Sequence, residues 1–335
     1  LDQLPALLGG EWRPPPPRPL PLSETPAGPD IVDLRGQPGL RRALEITAAG
    51  GHSLLMVGPP GAGKSLAARR LASILPPLGR PEALEVAKIA SIAGRLNGGA
   101  SVGRPFRAPH HSISSAGLVG GGNPPRAGEV TLAHRGVLFL DELGEFGRQA
   151  LEALRAPLED GTVTVSRAGH GVALPCSFML VAAANPCPCG RGEDDEHCRC
   201  TPLAVRRYEA KLTGALSDRI DMWKGVAQPS AEAMGAAAGE ASASVRERVC
   251  TARRLGAGRL GTGRCNADLT AAELRELAVD RPARDLLAEQ YGQLGLSGRG
   301  HDRVLRVART IADLAAAETI DEGAMQEALG LRRPA

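Results

Sequence analysis

The run Gly58-Pro59-Pro60-Gly61-Ala62-Gly63-Lys64-Ser65 has the spacing of a phosphate-binding loop. It follows an apolar strand candidate, SLLMV, and opens a helix candidate through Leu71. Its glycines let backbone N–H groups face phosphates at the positive end of a helix. Lys64 supplies a mobile cation for the outer phosphates, and Ser65 offers its hydroxyl to magnesium. The candidate nucleotide-binding set is Gly58 to Leu66 together with Asp141. Downstream, GVLFLDEL is an apolar run ending in two acids. Asp141 at the strand end can hold Mg2+ through water, and Glu142 can polarise an attacking water. A third run, FMLVAAANP, carries Asn185 to its end, where an amide can orient water or a γ-phosphate. A turn-forming Asn before Pro186 is the structural alternative.

The segment NPCPCGRGEDDEHCRC, 185–200, brings four of the seven cysteines together. Cys187, Cys189, Cys198 and Cys200 form C-x-C, eight residues, C-x-C, a set that can close a tetrahedral thiolate site around zinc. The loop has too few apolar residues to fold alone, so a bound metal would supply its ordering free energy. A closed four-ligand site leaves no catalytic position, so the zinc is expected to be structural, with His197 as a substitute ligand. Free thiols or a redox pair are the alternative. An odd cysteine count without a secretory signal argues against a disulfide framework.

Positioning these residues requires an α/β domain. Strand candidates at Ser53–Val57, Val137–Leu140 and Phe178–Ala182 alternate with helical segments, the pattern of a parallel sheet with crossover helices. The 335 residues divide into a Pro-rich linker (1–30), an α/β core (31–228) and a small helical domain (229–335). In the last, Val304, Ala308 and Ile311 form an apolar stripe, with Arg303, Arg306 and Arg309 expected to present cations beside it. Aromatics make up only 2%, so the core should be aliphatic. A formal charge of +3 does not by itself imply nucleic-acid binding. No stretch has membrane-spanning length, no signal peptide is evident, and the expected location is the cytoplasm.

Taken together, these motifs resemble the magnesium-chelatase-like branch of AAA+ ATPases, and closely the ComM/YifB competence-associated family. The resemblance runs from about Asp33 to the C-terminus and rests on GQPGLRRALEITAAGGHSLLMVGPPGAGKS, RPFRAPHHSISSAGLVGGG, PRAGEVTLAHRGVLFLDELGEF, LRAPLEDGTVTVSRA, NPCPCG, CRCTP, LSDRID and RVLRVARTIADL. It implies a hexameric ring ATPase using ATP and Mg2+ to move DNA, in branch migration during natural transformation. By the same resemblance Lys64 and Ser65 are Walker A, Asp141 and Glu142 Walker B, and Asn185 sensor 1. Arg219 matches the arginine finger that reaches a neighbour's γ-phosphate, and Arg306, with Arg303 as the alternative, matches sensor 2. The chain departs from the usual SGPLLDRID at Ala215 and Ser217, which bears on where the local helix starts.

Two insertions follow from the family pattern, one at about 97–130 in helix 2 and a hairpin at about 161–175 before sensor 1. Both should face the ring pore. There Arg104, Arg107, His110, His111, Arg167 and His170 are candidates for DNA phosphate contact, with Arg191 and Arg199 as secondary ones. Structural hydrogen bonding is the other reading of His110 and His111. Family members usually carry a Lon-protease-like domain of the S5 type before this region, and the Pro-rich start at Leu1 looks like its connecting segment. The rival function is a chelatase-type motor subunit that remodels a partner protein.

Overall fold

The computed structural model describes residues 29–95, 102–122, 126–167, 170–192, 195–214, 216–235 and 239–332. The linker up to residue 28, residues 97–101 and 123–125 of the expected insert, Ala215, and the side chains of Ser217, Arg167 and His170 lie outside the described set. Among the described residues nine strands form three sheets. They are β1 (Leu54–Val57), β2 (Phe106–Arg107), β3 (Gly120–Gly121), β4 (Arg126–Ala127), β5 (Val137–Leu140), β6 (Thr162–Arg167), β7 (His170–Pro175), β8 (Met179–Ala184) and β9 (Met222–Gly225). The main sheet has the order β2-β5-β8-β1-β9, and every pairing in it is parallel.

A parallel sheet is covered on both faces, which is why its strands are continuously apolar rather than alternating. Leu54, Met56, Phe139, Val181 and Ala183 belong to one buried cluster, whereas Leu55, Leu138, Leu140, Leu180 and Ala182 belong to another. The period-2 geometry of each strand thus divides one apolar run between two cores. The expected hairpin is β6–β7, paired antiparallel from Thr162↔Pro175 to Arg167↔His170.

The helices that cover the sheet begin with α1 (Pro38–Gly50), α2 (Lys64–Ile74) and α3 (Arg80–Ile92). Proline at the start of α1 has a fixed φ suited to a first turn, and Gly51 at φ 73° ends the helix in the left-handed region. Beyond β9 the long segments are helical: α5 (Ser242–Leu260), α6 (Arg281–Gln293), α7 (Gly298–Leu314) and α8 (Glu322–Gly330), with α4 (Pro202–Gly214) preceding β9. Among the described residues this helical part has no separate core. Val245, Val249, Val304, Ala308 and Ile311 are buried in the same cluster as Leu44, Leu54, Met56 and Leu71.

The arginines of α7 differ from expectation. Arg303 and Arg309 are buried rather than presented to solvent. Arg309 lies 3.1 Å from Asp313 and donates to the carbonyls of Ala317 and Glu318, so the chain leaving α7 supplies its acceptors. A polar network continues from there through the interior. Asp313 accepts from Arg259 (2.9 Å) and Asn266 (2.7 Å), Asn266 donates to Thr310 (3.0 Å), and Thr310 Oγ1 pairs with His52 Nε2 (2.7 Å). His52 Nδ1 faces Asp221 Oδ2 at 3.5 Å, and Asp221 also accepts from the Ser53 N–H at 3.0 Å. The network joins the residues that open β1 and β9 to the helical part.

Two outcomes follow. Asp313→Ala strips a buried carboxylate from two arginines, and a loss of about 3–5 kcal/mol is expected in urea unfolding; an unchanged midpoint would show the network to be dispensable. Burial alone would raise the Asp221 carboxyl, yet His52, the Ser53 N–H and the Arg303 guanidinium together hold it below the usual carboxylate value. A group depressed in this way contributes stability above its unfolded pKa and loses it as pH falls through the folded one. Asp221→Asn should therefore flatten the decline of stability below about pH 4, measured as unfolding free energy against pH.

Candidate functional site

Because β1, β5 and β8 run parallel, the residues that leave their C-terminal ends share one edge of the sheet. Val57 pairs with Ala184 and Leu140 with Ala182, which sets Gly58 beside Asn185 and Asp141 beside Ala183 at the same end of the sheet. The Gly58 N–H donates to the Ala184 carbonyl at 3.2 Å. A Cβ on Gly58 would lie 2.0 Å from the Val226 carbonyl oxygen, so only glycine fits where the loop leaves the sheet. The loop then turns through Gly61 (φ 79°) and Gly63 (φ 87°). Gly63 caps α2 without a side-chain hydrogen bond, leaving the N–H groups of the first turn free to meet an anion.

Lys64 is buried and folded back over this loop. Its Nζ donates to the carbonyls of Gly58 (2.5 Å) and Pro59 (2.8 Å) and to Asn185 Oδ1 (3.3 Å). Burial lowers its pKa despite the nearby Asp141. Ser65 Oγ donates to Asp141 Oδ2 at 2.6 Å, and Asp141 Oδ1 accepts the Glu142 N–H at 3.0 Å. Pro60 to Leu66, Asp141, Glu142 and Asn185 line a cleft of about 370 Å3. Gly58 and Pro59 stand behind it as the acceptors for Lys64. A cation, a hydroxyl beside a carboxylate, an amide and a helix N-terminus converging on one cleft can bind a phosphate chain with its divalent cation.

Glu142 adopts φ 51° and ψ 50°, a left-handed conformation that costs a non-glycine residue about 1–2 kcal/mol. Its exposed carboxylate reaches over the cleft and is paired with His111, Nδ1 to Oε2, at 3.2 Å. His110 packs against the His111 ring at a centroid distance of 4.0 Å and shares a 2.8 Å hydrogen bond with Ser112. His111 thus belongs to this site, a role that the sequence reading missed because 30 residues and three strands separate it from Glu142. The arginines of the same insertion have internal partners. Arg107 donates twice to Glu129 (2.6 and 2.8 Å), and Arg104 donates to the carbonyls of Pro76 and Arg135 and to Glu82.

Arg219 lies elsewhere. It precedes β9, which pairs in parallel with β1 from Leu54↔Met222 to Val57↔Gly225, so it sits beyond the sheet edge opposite Gly58. The strands alone separate those edges by ~13 Å. Glu159 accepts from Arg219 Nη2 at 2.5 Å. Both residues line a second cleft of about 600 Å3, together with Arg299, Arg303 and Arg306. Arg303 Nε is 3.4 Å from Asp221, while Arg306 donates two bonds to the Leu269 carbonyl (2.9 and 2.6 Å). Neither sensor 2 candidate lines the Lys64 cleft of its own chain.

The sulfurs of Cys187, Cys189, Cys198 and Cys200 lie within 4.8 Å of one another. Three of the separations are 3.3, 3.6 and 3.8 Å. A tetrahedron of sulfurs each ~2.3 Å from a zinc ion has edges of ~3.8 Å, so the cluster suits a thiophilic dication. The Arg191 backbone N–H and the Cys187 thiol bring the Cys189 thiol down to about 6. His197 is not part of the sulfur cluster, and its Nδ1 lies 3.3 Å from Asp195 and 3.8 Å from Glu196. Arg191 lies 3.6 Å from Asp195 on the exposed side of the loop. Among the described residues, no helix is long and apolar enough to cross a membrane.

Comparison with known proteins agrees with this geometry. Residues 30–234 match the family model described as magnesium chelatase, subunit ChlI, and 239–332 match the model of its C-terminal part. The uncharacterised protein YifB of Salmonella typhimurium is 43% identical over 320 residues, covering 93% of this chain and 63% of its own length. The competence protein ComM of Haemophilus influenzae is 44% identical over 308 residues, or 90% of this chain and 60% of its own. An uncharacterised Mycobacterium tuberculosis protein, Rv2897c, is 46% identical over 292 residues, covering 85% of this chain and 58% of its own length. The chain thus spans about three fifths of these relatives. Family membership supports an ATPase that uses ATP and Mg2+. The chain belongs to the magnesium chelatase subunit ChlI family of AAA+ proteins, within its ComM/YifB group.

Proposed function

We propose that the chain is the motor module of a hexameric ring that couples ATP hydrolysis to movement of DNA, including migration of branched DNA. The observation that carries this reading is the separation of the two clefts. Lys64, Ser65, Asp141, Glu142 and Asn185 hold one edge of the sheet, and Arg219 stands with Arg303 and Arg306 at the other. An arginine so placed serves hydrolysis only at a neighbour's nucleotide, and repetition of that contact closes a ring. The competence name of the Haemophilus influenzae relative supports DNA as the substrate. The chelatase family description favours a second reading, a motor that remodels a partner protein.

In the proposed reaction the first-turn N–H groups of α2 and Lys64 take the phosphates, with Lys64 leaving the Gly58 and Pro59 carbonyls. Ser65 and Asp141 would hold Mg2+, which when bound would neutralise charge on the phosphate oxygens. Glu142 turns from His111 toward the water that attacks the γ-phosphorus. It accepts that water's proton as the bond to the β-phosphate oxygen breaks. Asn185 orients the γ-phosphate, and the neighbour's Arg219 leaves Glu159 to meet the charge gathering there. Arg306 or Arg303 contributes from the same neighbour. The four cysteines hold a structural zinc, and the motor works in the cytoplasm. The antiparallel hairpin β6–β7 and the His110–His111 insertion face the pore and its DNA.

Glu142→Gln is expected to retain nucleotide binding while turnover falls about 10^2- to 10^4-fold; retained turnover would remove Glu142 from its role. The experiment that tests the DNA reading is steady-state ATP hydrolysis with no DNA, single-stranded DNA or a branched duplex, each at two salt concentrations. Stimulation by DNA that weakens at high salt is expected. Absence of stimulation in protein that binds ATP and forms rings would favour the partner-remodelling motor.

A further inference from the structure

The four-cysteine loop does more than follow Asn185 in sequence. Cys187 is fully buried at the end of β8, one residue beyond the Asn185–Pro186 pair. The next turn brings the Gly190 N–H to the Cys187 carbonyl (2.9 Å) and the Gly192 N–H to the Cys187 sulfur (3.2 Å). Gly190 is itself buried, at φ 87°, and leaves no room for a side chain on the side that faces the phosphate-binding loop. A Cβ there would lie 2.9 Å from both Cδ and Cγ of Pro60 and 3.8 Å from the Asn185 amide nitrogen. Pro60 lines the Lys64 cleft, and Asn185 holds Lys64 through its Oδ1.

The loop has little else to hold it in place. Pro188, Arg191, Glu196, His197 and Arg199 are exposed, and beyond Cys187 and Gly190 none of the described residues of this loop is fully buried. Its fixed points are the sulfurs, and a cation held between four thiols this close would join them firmly.

We propose that a zinc ion held by Cys187, Cys189, Cys198 and Cys200 makes this loop a clamp on the nucleotide-binding cleft: metal occupancy fixes Gly190 against Pro60 and Asn185 and so sets nucleotide affinity. This rests on the reading of the Lys64 cleft as the nucleotide site. Loss of the ion frees the turn at Gly190, and with it the wall of the cleft at Pro60 and the amide that positions Lys64. Asn185 is then a positioning residue on which the metal and the nucleotide loop both act.

The test measures bound zinc by elemental analysis and the affinity for a fluorescent ATP analogue with Mg2+, in the full chain with its fold checked by circular dichroism. Four proteins are compared: wild type, Lys64→Ala, Cys198→Ser and Gly190→Ala. Gly190→Ala keeps every thiol but drives a methyl group into the rigid Pro60 ring, so it should retain zinc and lose affinity. Cys198→Ser should lose both. A misplaced cleft wall is expected to weaken binding roughly ten- to a hundred-fold in each. Wild type stripped of zinc and then refilled with zinc chloride should lose and regain affinity without any substitution. If Lys64→Ala loses binding while zinc-stripped wild type and Gly190→Ala bind as wild type does, the clamp is overturned and the nucleotide site stands. A folded wild type that contains no zinc and takes up none also overturns it. If Lys64→Ala binds as well as wild type, the reading of the cleft itself fails, and the clamp with it.

Discussion

Everything at the candidate site depends on the parallel pairing of β8 between β1 and β5. A parallel register gives all three strands the same direction, so the phosphate-binding loop, the acidic pair and the amide leave the sheet at one edge. The hydrogen bond from the Gly58 N–H to the Ala184 carbonyl extends that pairing past the last strand residue and fixes where the loop starts. Cys187 follows three residues after β8, which is why the cysteine loop lies against the nucleotide loop rather than elsewhere. One pairing therefore positions a cation, two carboxylates, an amide and a candidate metal centre.

The opposite edge is organised by buried polar groups. His52 and Ser53 precede β1, Asp221 precedes β9, and both strands meet the helical part through Thr310 and Arg303. Such a network is stabilising only while every member has its partner, which makes it a specific way of docking one unit on another. Its consequence is geometric. The helical part is held at the end of the sheet remote from the Lys64 cleft, and its Arg299, Arg303 and Arg306 line one cleft with Arg219. The exposed carboxylate of Glu159 holds Arg219 in the isolated chain. His111 holds Glu142 in the same way at the other edge.

Features written in a short span of sequence were legible there. The loop from Gly58 to Ser65 and the Asp141–Glu142 pair are local patterns whose chemistry needs only a strand before them, and the strand at 137–140 is found as expected. Spacing alone also identified the cysteine quartet. The strand expected to end at Ala182 pairs to Ala184, because alanine has little strand preference of its own and is held there by β1. What depends on docking was not legible. Arg303 and Arg309 look like exposed cations until the carbonyls and carboxylates of distant segments are brought to them. The partners of Arg107 and His111 are set by how the insertion folds over β5, and the contact of Gly190 with Pro60 joins segments 130 residues apart. None of these leaves a periodic or compositional signal.

The central claim is that the active site is divided between two copies of the chain. Its most direct test mixes two variants, Lys64→Ala, which keeps Arg219, and Arg219→Ala, which keeps the nucleotide loop. Each alone is expected to be inactive in ATP hydrolysis. An equimolar mixture should recover activity, with roughly a quarter of the interfaces in a randomly assembled ring pairing an intact loop with an intact arginine. A mixture that assembles into rings and remains as inactive as its components would contradict the account.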